Sequence, residues 1–321
     1  MNAPVIVSFA TSETPLWKIP FPAITVCPLT RTEKSKFDFE YFLSLRENHT
    51  EFEEEKATKF DYMSLVCSRT LDSILNENSS KTVSDSVNTF LIEVCDSFKV
   101  TLRHCFKVSP NFQDIVHTCK WVGQNCSNLV FEYFTPILTS FGVCYTFNML
   151  DRDEIFTEEA ALDYYESLSI IHQPKAQWSL EKGYFDKSPL HTFPRRTILT
   201  GTTGGLELIF KTSEQDMDYH CEESLRGYKI ILHHPAEIPR SHQNYFWVPL
   251  NQLVSVSVKP NMMTTAEELQ RYDPEARKCC FYGERRLRFF HAYNQQNCLL
   301  ECLANYTRRI CDCVAFYMPR K

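Results

Sequence analysis

The sequence predicts an α+β fold, and three observations carry that expectation. A strand-like run at residues 21–28 opens the chain, apolar residues then recur every three or four positions from about 37 to 100, and alternating runs return after residue 129 before a last helical stretch at 285–309. Strands and helices in separate blocks suit an α+β architecture, because a parallel α/β sheet needs them to alternate. With 321 residues, 43% of them hydrophobic, the chain can bury a core and is long enough for about two domains.

The elements follow in order. Phe21-Pro22-Ala23-Ile24-Thr25-Val26-Cys27-Pro28 alternates as a strand does. In the helical block Phe60, Met63, Cys67, Leu71 and Ile74 lie on one face, as do Val87, Leu91, Val94 and Phe98 behind a Ser84 N-cap. The polar stretches 51–55 and 76–80 separate the helices as loops. Val143–Asn148 alternates again, and a short helix is expected over 157–168. Residues 206–211, 228–232 and 254–259 each read as a strand, the last with the cleanest period of two. Thr264 with Glu267 forms a capping box, and one or two helices are expected between Arg285 and Arg309.

Charge and cysteine content bound the function. Lys and Arg number 34 against 40 Asp and Glu, a net charge of −6, so the positive field of a general nucleic-acid binder is absent. Fourteen cysteines point either to metal sites and thiols in the cytosol or to disulfides in an oxidising compartment. Four Asn-x-Ser/Thr sequons, at Asn48, Asn78, Asn125 and Asn305, favour the second. The first ten residues lack the basic start of a signal peptide, and the charge-free stretch 133–150 carries Pro136, Gly142 and Asn148, which unfit it for crossing a membrane. An extracytosolic piece of a longer protein is therefore expected.

Six cysteines gather near the end: Cys279, Cys280, Cys298, Cys302, Cys311 and Cys313. On a helix Cys298 and Cys302 share a face, with Cβ atoms about 5–6 Å apart, and in an extended segment Cys311 and Cys313 point to one side. A disulfide ladder suits this spacing better than zinc, whose knuckles use longer C-x2-4-C pairs. Cys119 and Cys126 bracket a six-residue loop that a local disulfide closes easily, although either could pair elsewhere. Enzyme signals are weak. Gly201-Thr202-Thr203-Gly204-Gly205 lacks the Gly-Lys-Ser/Thr of a phosphate loop and reads as a turn, and His233-His234 lacks a metalloprotease Glu and reads as an ordinary polar strand end. The acidic runs 51–55 and 151–154 lack calcium-loop spacing and read as solvated surface.

Three stretches together resemble the epithelial sodium channel/degenerin family, most closely its insect pickpocket branch. They are Phe21-Pro22-Ala23-Ile24-Thr25-Val26-Cys27, then Gly142-Val143-Cys144-Tyr145-Thr146-Phe147-Asn148, and the long run from Arg277-Lys278-Cys279-Cys280-Phe281 through Asn297-Cys298-Leu299-Leu300-Glu301-Cys302 and Cys311-Asp312-Cys313 to Met318-Pro319-Arg320. The resemblance implies a hand-shaped ectodomain: a mixed β-sheet palm and β-ball, a helical finger and a partial, disulfide-stapled helical thumb. It divides the chain into a post-membrane segment and first palm strand (1–30), a finger (31–118), a β-ball, palm strand and insertion (119–200), palm and knuckle strands (201–263) and an incomplete thumb (264–321). It pairs Cys27 with Cys144 and Cys119 with Cys126, and makes Cys279, Cys298, Cys302, Cys311 and Cys313 halves of five rungs whose partners lie beyond Lys321. Cys280 is extra, a candidate partner for Cys221 or a finger cysteine, and Cys67, Cys95 and Cys105 stay unassigned. Pro274 lies where some relatives carry a coupling Trp.

By that resemblance the chain is the extracellular portion of a plasma-membrane channel subunit. The channel is sodium-selective and amiloride-sensitive, a homo- or heterotrimer of related subunits held in the membrane by flanking helices, with no cofactor and no enzyme activity. The rival reading is a secreted Cys-rich glycoprotein that acts as a binding module.

Overall fold

The computed structural model describes residues 13–48, 53–67, 106–160, 173–185, 188–217, 221, 226–240, 244–263, 265–281 and 283–320. Their architecture is mixed α+β, with all strand pairs antiparallel. The strands, in chain order, are β1 (Ala23–Pro28), β2 (Val116–Trp121), β3 (Gln124–Asn125), β4 (Phe134–Thr139), β5 (Gly142–Phe147), β6 (Trp178–Ser179), β7 (Gly183–Tyr184), β8 (Leu206–Phe210), β9 (Gly227–His233) and β10 (Tyr245–Pro249). The main sheet runs β10-β9-β1-β5-β4; β3-β2-β8 form a second sheet, and β6-β7 a hairpin.

β1 is central because both of its edges are used. It pairs with β9 from Ala23↔His233 to Pro28↔Tyr228 and with β5 at Ile24↔Phe147, Thr25↔Thr146 and Val26↔Tyr145. Successive side chains leave a strand on opposite faces, and both faces of this sheet are buried. One core takes Ala23, Cys27, Cys144 and Ile231 together with helical residues, and the other takes Val26, Phe147, Tyr228 and Ile230 together with the second sheet. The fully buried hydroxyls of Thr25 and Thr146 would be costly alone. They face each other across the ladder and bond at 2.7 Å.

The helices cover the first core. α1 (Phe39–Glu47) starts where Asp38 accepts the Tyr41 N–H, and α2 (Glu54–Val66) carries Glu55–Lys59 at i,i+4 on its wet side while Phe60, Met63 and, just past its end, Cys67 are buried. The single-turn helices α3 (Phe112–Ile115) and α4 (Val130–Tyr133) line the second core. α5 (Arg152–Ile155) is capped by Asp151, and α6 (Pro274–Arg277) begins with Pro, which suits a first turn. The long α7 (Gln295–Cys311) opens with Asn294 accepting the Asn297 N–H and ends at left-handed Asp312. The Val87–Phe98 stripe with its Ser84 cap, most of the 157–168 helix, and Thr264 lie outside the described residues. Glu267 opens a 3-10 turn, Glu267–Arg271, with no side-chain cap.

One expected strand is absent. Residues 252–263 form no ladder with any described strand, and Leu253 is 98% exposed. The chain leaves β10 at Pro249, which has no N–H to donate, and turns at left-handed Asn251. An alternating pattern marks a face, but a strand also needs a partner to supply its hydrogen bonds.

Gly227 starts β9 with φ +122°, and a Cβ there would lie 2.1 Å from the Val248 carbonyl oxygen. Gly227→Ala is therefore expected to destabilise the fold by about 3 kcal/mol or more, read as a lower urea midpoint at unchanged m-value.

Candidate functional site: the tied sheet and the C-terminal thiols

Three disulfides join described residues to one another. Cys27–Cys144 joins β1 to β5 with Cα atoms 4.4 Å apart, the spacing of a non-hydrogen-bonded cross-strand pair. Cys119–Cys126 closes the β2–β3 hairpin, whose turn uses Val122 and Gly123 at positive φ. Cys67–Cys221 ties the end of α2 to the segment ahead of β9. The two long-range bridges close loops of 117 and 154 residues, and loop entropy puts each near 5 kcal/mol at roughly that size. Cys221 is thus taken by Cys67 and not by Cys280. Cys95 and Cys105 lie outside the described residues.

The C-terminal cysteines divide differently. Cys279, Cys280, Cys298 and Cys302 are free thiols, with Cys279 and Cys302 exposed. Cys313 is disulfide-bonded, which corrects the expectation of an unpaired half-rung there. Cys311 is the last helical residue and Asp312 has φ 57°, so the backbone of the Cys-Asp-Cys stretch turns a corner instead of running extended. On α7, Asn297, Leu300 and Ala304 face the core, while Leu299, Cys302, Leu303, Tyr306 and Ile310 make an exposed stripe. The thiols therefore sit beside an apolar face. Among the described residues no cluster of His, Cys, Asp or Glu is placed to hold a metal.

Lys229 is a charge inside the sheet's first core. It is 1% exposed, opposite Cys27 on one side and Trp247 on the other. Its Nζ lies 3.6 Å from the ring centre of Phe141, 3.8 Å from Tyr245 and 5.1 Å from Trp247, and Arg31 stacks on the same Phe141 ring at 4.5 Å. Ring faces lend the ammonium the negative potential it lost with water. The sequence offered Lys229 only as one polar letter in an apolar run; its aromatic partners come from distant segments.

His233 closes β9. Its Nδ1 donates to the His234 carbonyl at 3.0 Å, so its Nε2 accepts from Thr25 at 2.8 Å, continuing the Thr25–Thr146 chain. His234 Nδ1 accepts the Ala236 N–H at 3.2 Å. Desolvation brings both imidazoles down to about 4. They are packed, neutral groups, which corrects the reading of an ordinary strand end. The acidic run 151–154 is corrected too: Asp151 is buried, with its Oδ2 accepting the Gln173 N–H at 2.9 Å, and Glu154 accepts the Ala176 N–H at 2.9 Å. Asn125 and Asn305 are exposed, Asn48 caps the end of α1 with its side chain bonded to Ser44, and Asn78 lies outside the described residues.

A family model described as amiloride-sensitive sodium channel matches residues 1–321. The chain belongs to the amiloride-sensitive sodium channel family, a family of ion channels and not of enzymes. Among individual proteins it is similar to Pickpocket protein 28 of Drosophila melanogaster, 26% identical over 99% of this chain and 47% of that protein. It is also similar to the sodium channel protein Nach of Drosophila melanogaster, 20% identical over 64% of this chain and 35% of that one, and to human acid-sensing ion channel 2, 24% identical over 68% and 34%. The chain spans less than half the length of these relatives. No helix among the described residues is long and apolar enough to cross a membrane.

The histidines set an acid limit. An unfolded imidazole titrates near 6.5, so between about pH 6.5 and 4 the unfolded chain binds protons that the folded one refuses, and stability falls as pH is lowered through that window. Urea midpoints measured from pH 7 to 4 are expected to fall, and His233→Gln is expected to flatten the slope.

Proposed function

We propose that this chain is the extracellular portion of a plasma-membrane sodium channel subunit, sodium-selective and amiloride-sensitive. The family match over all 321 residues carries the reading, and the names of the sodium channel protein Nach and acid-sensing ion channel 2 support it. The main sheet serves as the palm, α1 and α2 belong to the finger, and α6 and α7 to the thumb. The subunits assemble as a trimer, homomeric or heteromeric, and flanking helices of the whole protein cross the membrane and form the pore. Conduction is passive. Finger and thumb motions act through the disulfide-tied sheet on those helices, a shift between closed and open populations. The free thiols of Cys279, Cys298 and Cys302 pair with cysteines of a further thumb segment that packs on the exposed stripe of α7. Glycans occupy Asn48, Asn78, Asn125 and Asn305.

Two measurements test this reading. The whole protein expressed in oocytes is expected to give an inward sodium current blocked by amiloride; a surface-expressed protein without current under any stimulus counts against the channel role. The 321-residue chain made alone in an oxidising compartment is expected to run as thiol-sensitive multimers on non-reducing gels. Replacing Cys279, Cys280, Cys298 and Cys302 by Ser is expected to restore the monomer, and a wild-type monomer would remove the half-rung assignment.

A further inference from the structure

Between the start of the β6–β7 hairpin and the segment that returns past it lies a cavity of about 230 Å³, lined by Pro174, Lys175, Gln177, Pro189, His191, Thr192, Phe193 and Arg195. Its lining includes three basic residues and no carboxylate, with Phe193 and two prolines as its apolar part.

The frame around it is built from buried polar groups. Asn148, left-handed and 2% exposed, accepts the Arg195 N–H at 2.5 Å and donates to the Arg195 carbonyl at 3.1 Å, clamping that backbone from both sides. Asp151 and Glu154 hold residues 173 and 176 on the opposite wall, and the Gln177 N–H donates to the Phe193 carbonyl at 3.0 Å across the two.

The neighbouring arginines are used in opposite ways. Arg196 bonds the carbonyls of Trp17, Ser188 and Pro189 and stacks on Tyr184. Arg195 stacks on Tyr133 at 3.9 Å, and none of the ion pairs among the described residues includes it, Lys175 or His191. Partial burial lowers the Arg195 pKa, against the pull of Tyr133 and Glu132, so an added anion would relieve its desolvation. Glu154 acts on Lys175 electrostatically; its Oε1 accepts the Ala176 N–H, and its Oε2 is buried without a hydrogen-bond partner.

We propose that this cavity binds a small organic carboxylate, its anionic end held by Arg195 and Lys175 and its apolar body against Phe193, Pro174 and Pro189. A planar guanidinium matches a carboxylate in geometry, and an apolar floor with a few convergent polar groups is the usual form of a small-molecule site. The inference stands apart from the channel reading.

The probes are benzoate, its neutral isostere benzamide, and inorganic phosphate, titrated calorimetrically into the chain with Cys279, Cys280, Cys298 and Cys302 replaced by Ser. Benzoate is expected to bind saturably at one site, benzamide and phosphate at least about tenfold more weakly, and Arg195→Gln to weaken benzoate by about tenfold or more, as loss of a charge-assisted contact does. Lys175→Gln and His191→Gln change exposed side chains and keep the test open if Arg195→Gln fails to fold; Lys175→Gln is expected to weaken benzoate several-fold. Equal binding of benzamide would reduce the site to an apolar slot, and equal binding of phosphate would make it a general anion site. Either result overturns the proposal, as does benzoate affinity unchanged in every variant or no saturable benzoate binding at all.

Discussion

The structure depends on β1 being paired along both edges and buried on both faces. A strand in that position has no freedom of register: a slip of one residue would send Cys27 away from Cys144 and place Val26 among partners shaped for Thr25. Every layer is referred to it. The helices α1, α2 and α7 pack on the side of Ala23 and Cys27, and the small second sheet packs on the side of Val26. The disulfide to β5 adds a covalent lock to a register already set by burial.

Burial on both faces explains the polar chemistry inside. Thr25, Thr146 and His233 form one hydrogen-bonded chain across three strands, so none of these groups meets the core without a partner. Lys229 is accommodated by ring faces, with Phe141, Tyr245 and Trp247 around one ammonium. Charge kept in a core by such an arrangement makes the local packing specific, because an apolar replacement would fill the volume without selecting the same ring positions.

How much was legible depends on the range of the interaction. The strands at 23–28, 142–147, 206–210 and 227–233 and the buried face of α2 follow from local periodicity, and the Cys119–Cys126 loop from short spacing. The disulfide from Cys67 to Cys221 spans 154 residues and leaves no mark in either neighbourhood. The box around Lys229 needs Phe141 and the strand β10, far apart in sequence. Residues 254–259 show the converse: Val254, Val256 and Val258 alternate well, yet the partner strand is a property of the assembly and cannot be read from the segment. Asp151 and Glu154 read as solvent-facing charge because their work is to hold backbone N–H groups more than twenty positions away.

The two long bridges overlap in sequence, since Cys67 lies inside the loop closed by Cys27 and Cys144, and Cys144 lies inside the loop closed by Cys67 and Cys221. A tensile load entering before β1 and leaving through β9 therefore has a covalent shortcut. It runs from residue 27 to 67 and crosses directly to 221, so the stretch between those two cysteines is relieved of tension. The first resistance is the antiparallel β1–β9 ladder, loaded from its Ala23↔His233 end; once that has opened, the covalent path through β1, the first two helices and β9 limits further extension.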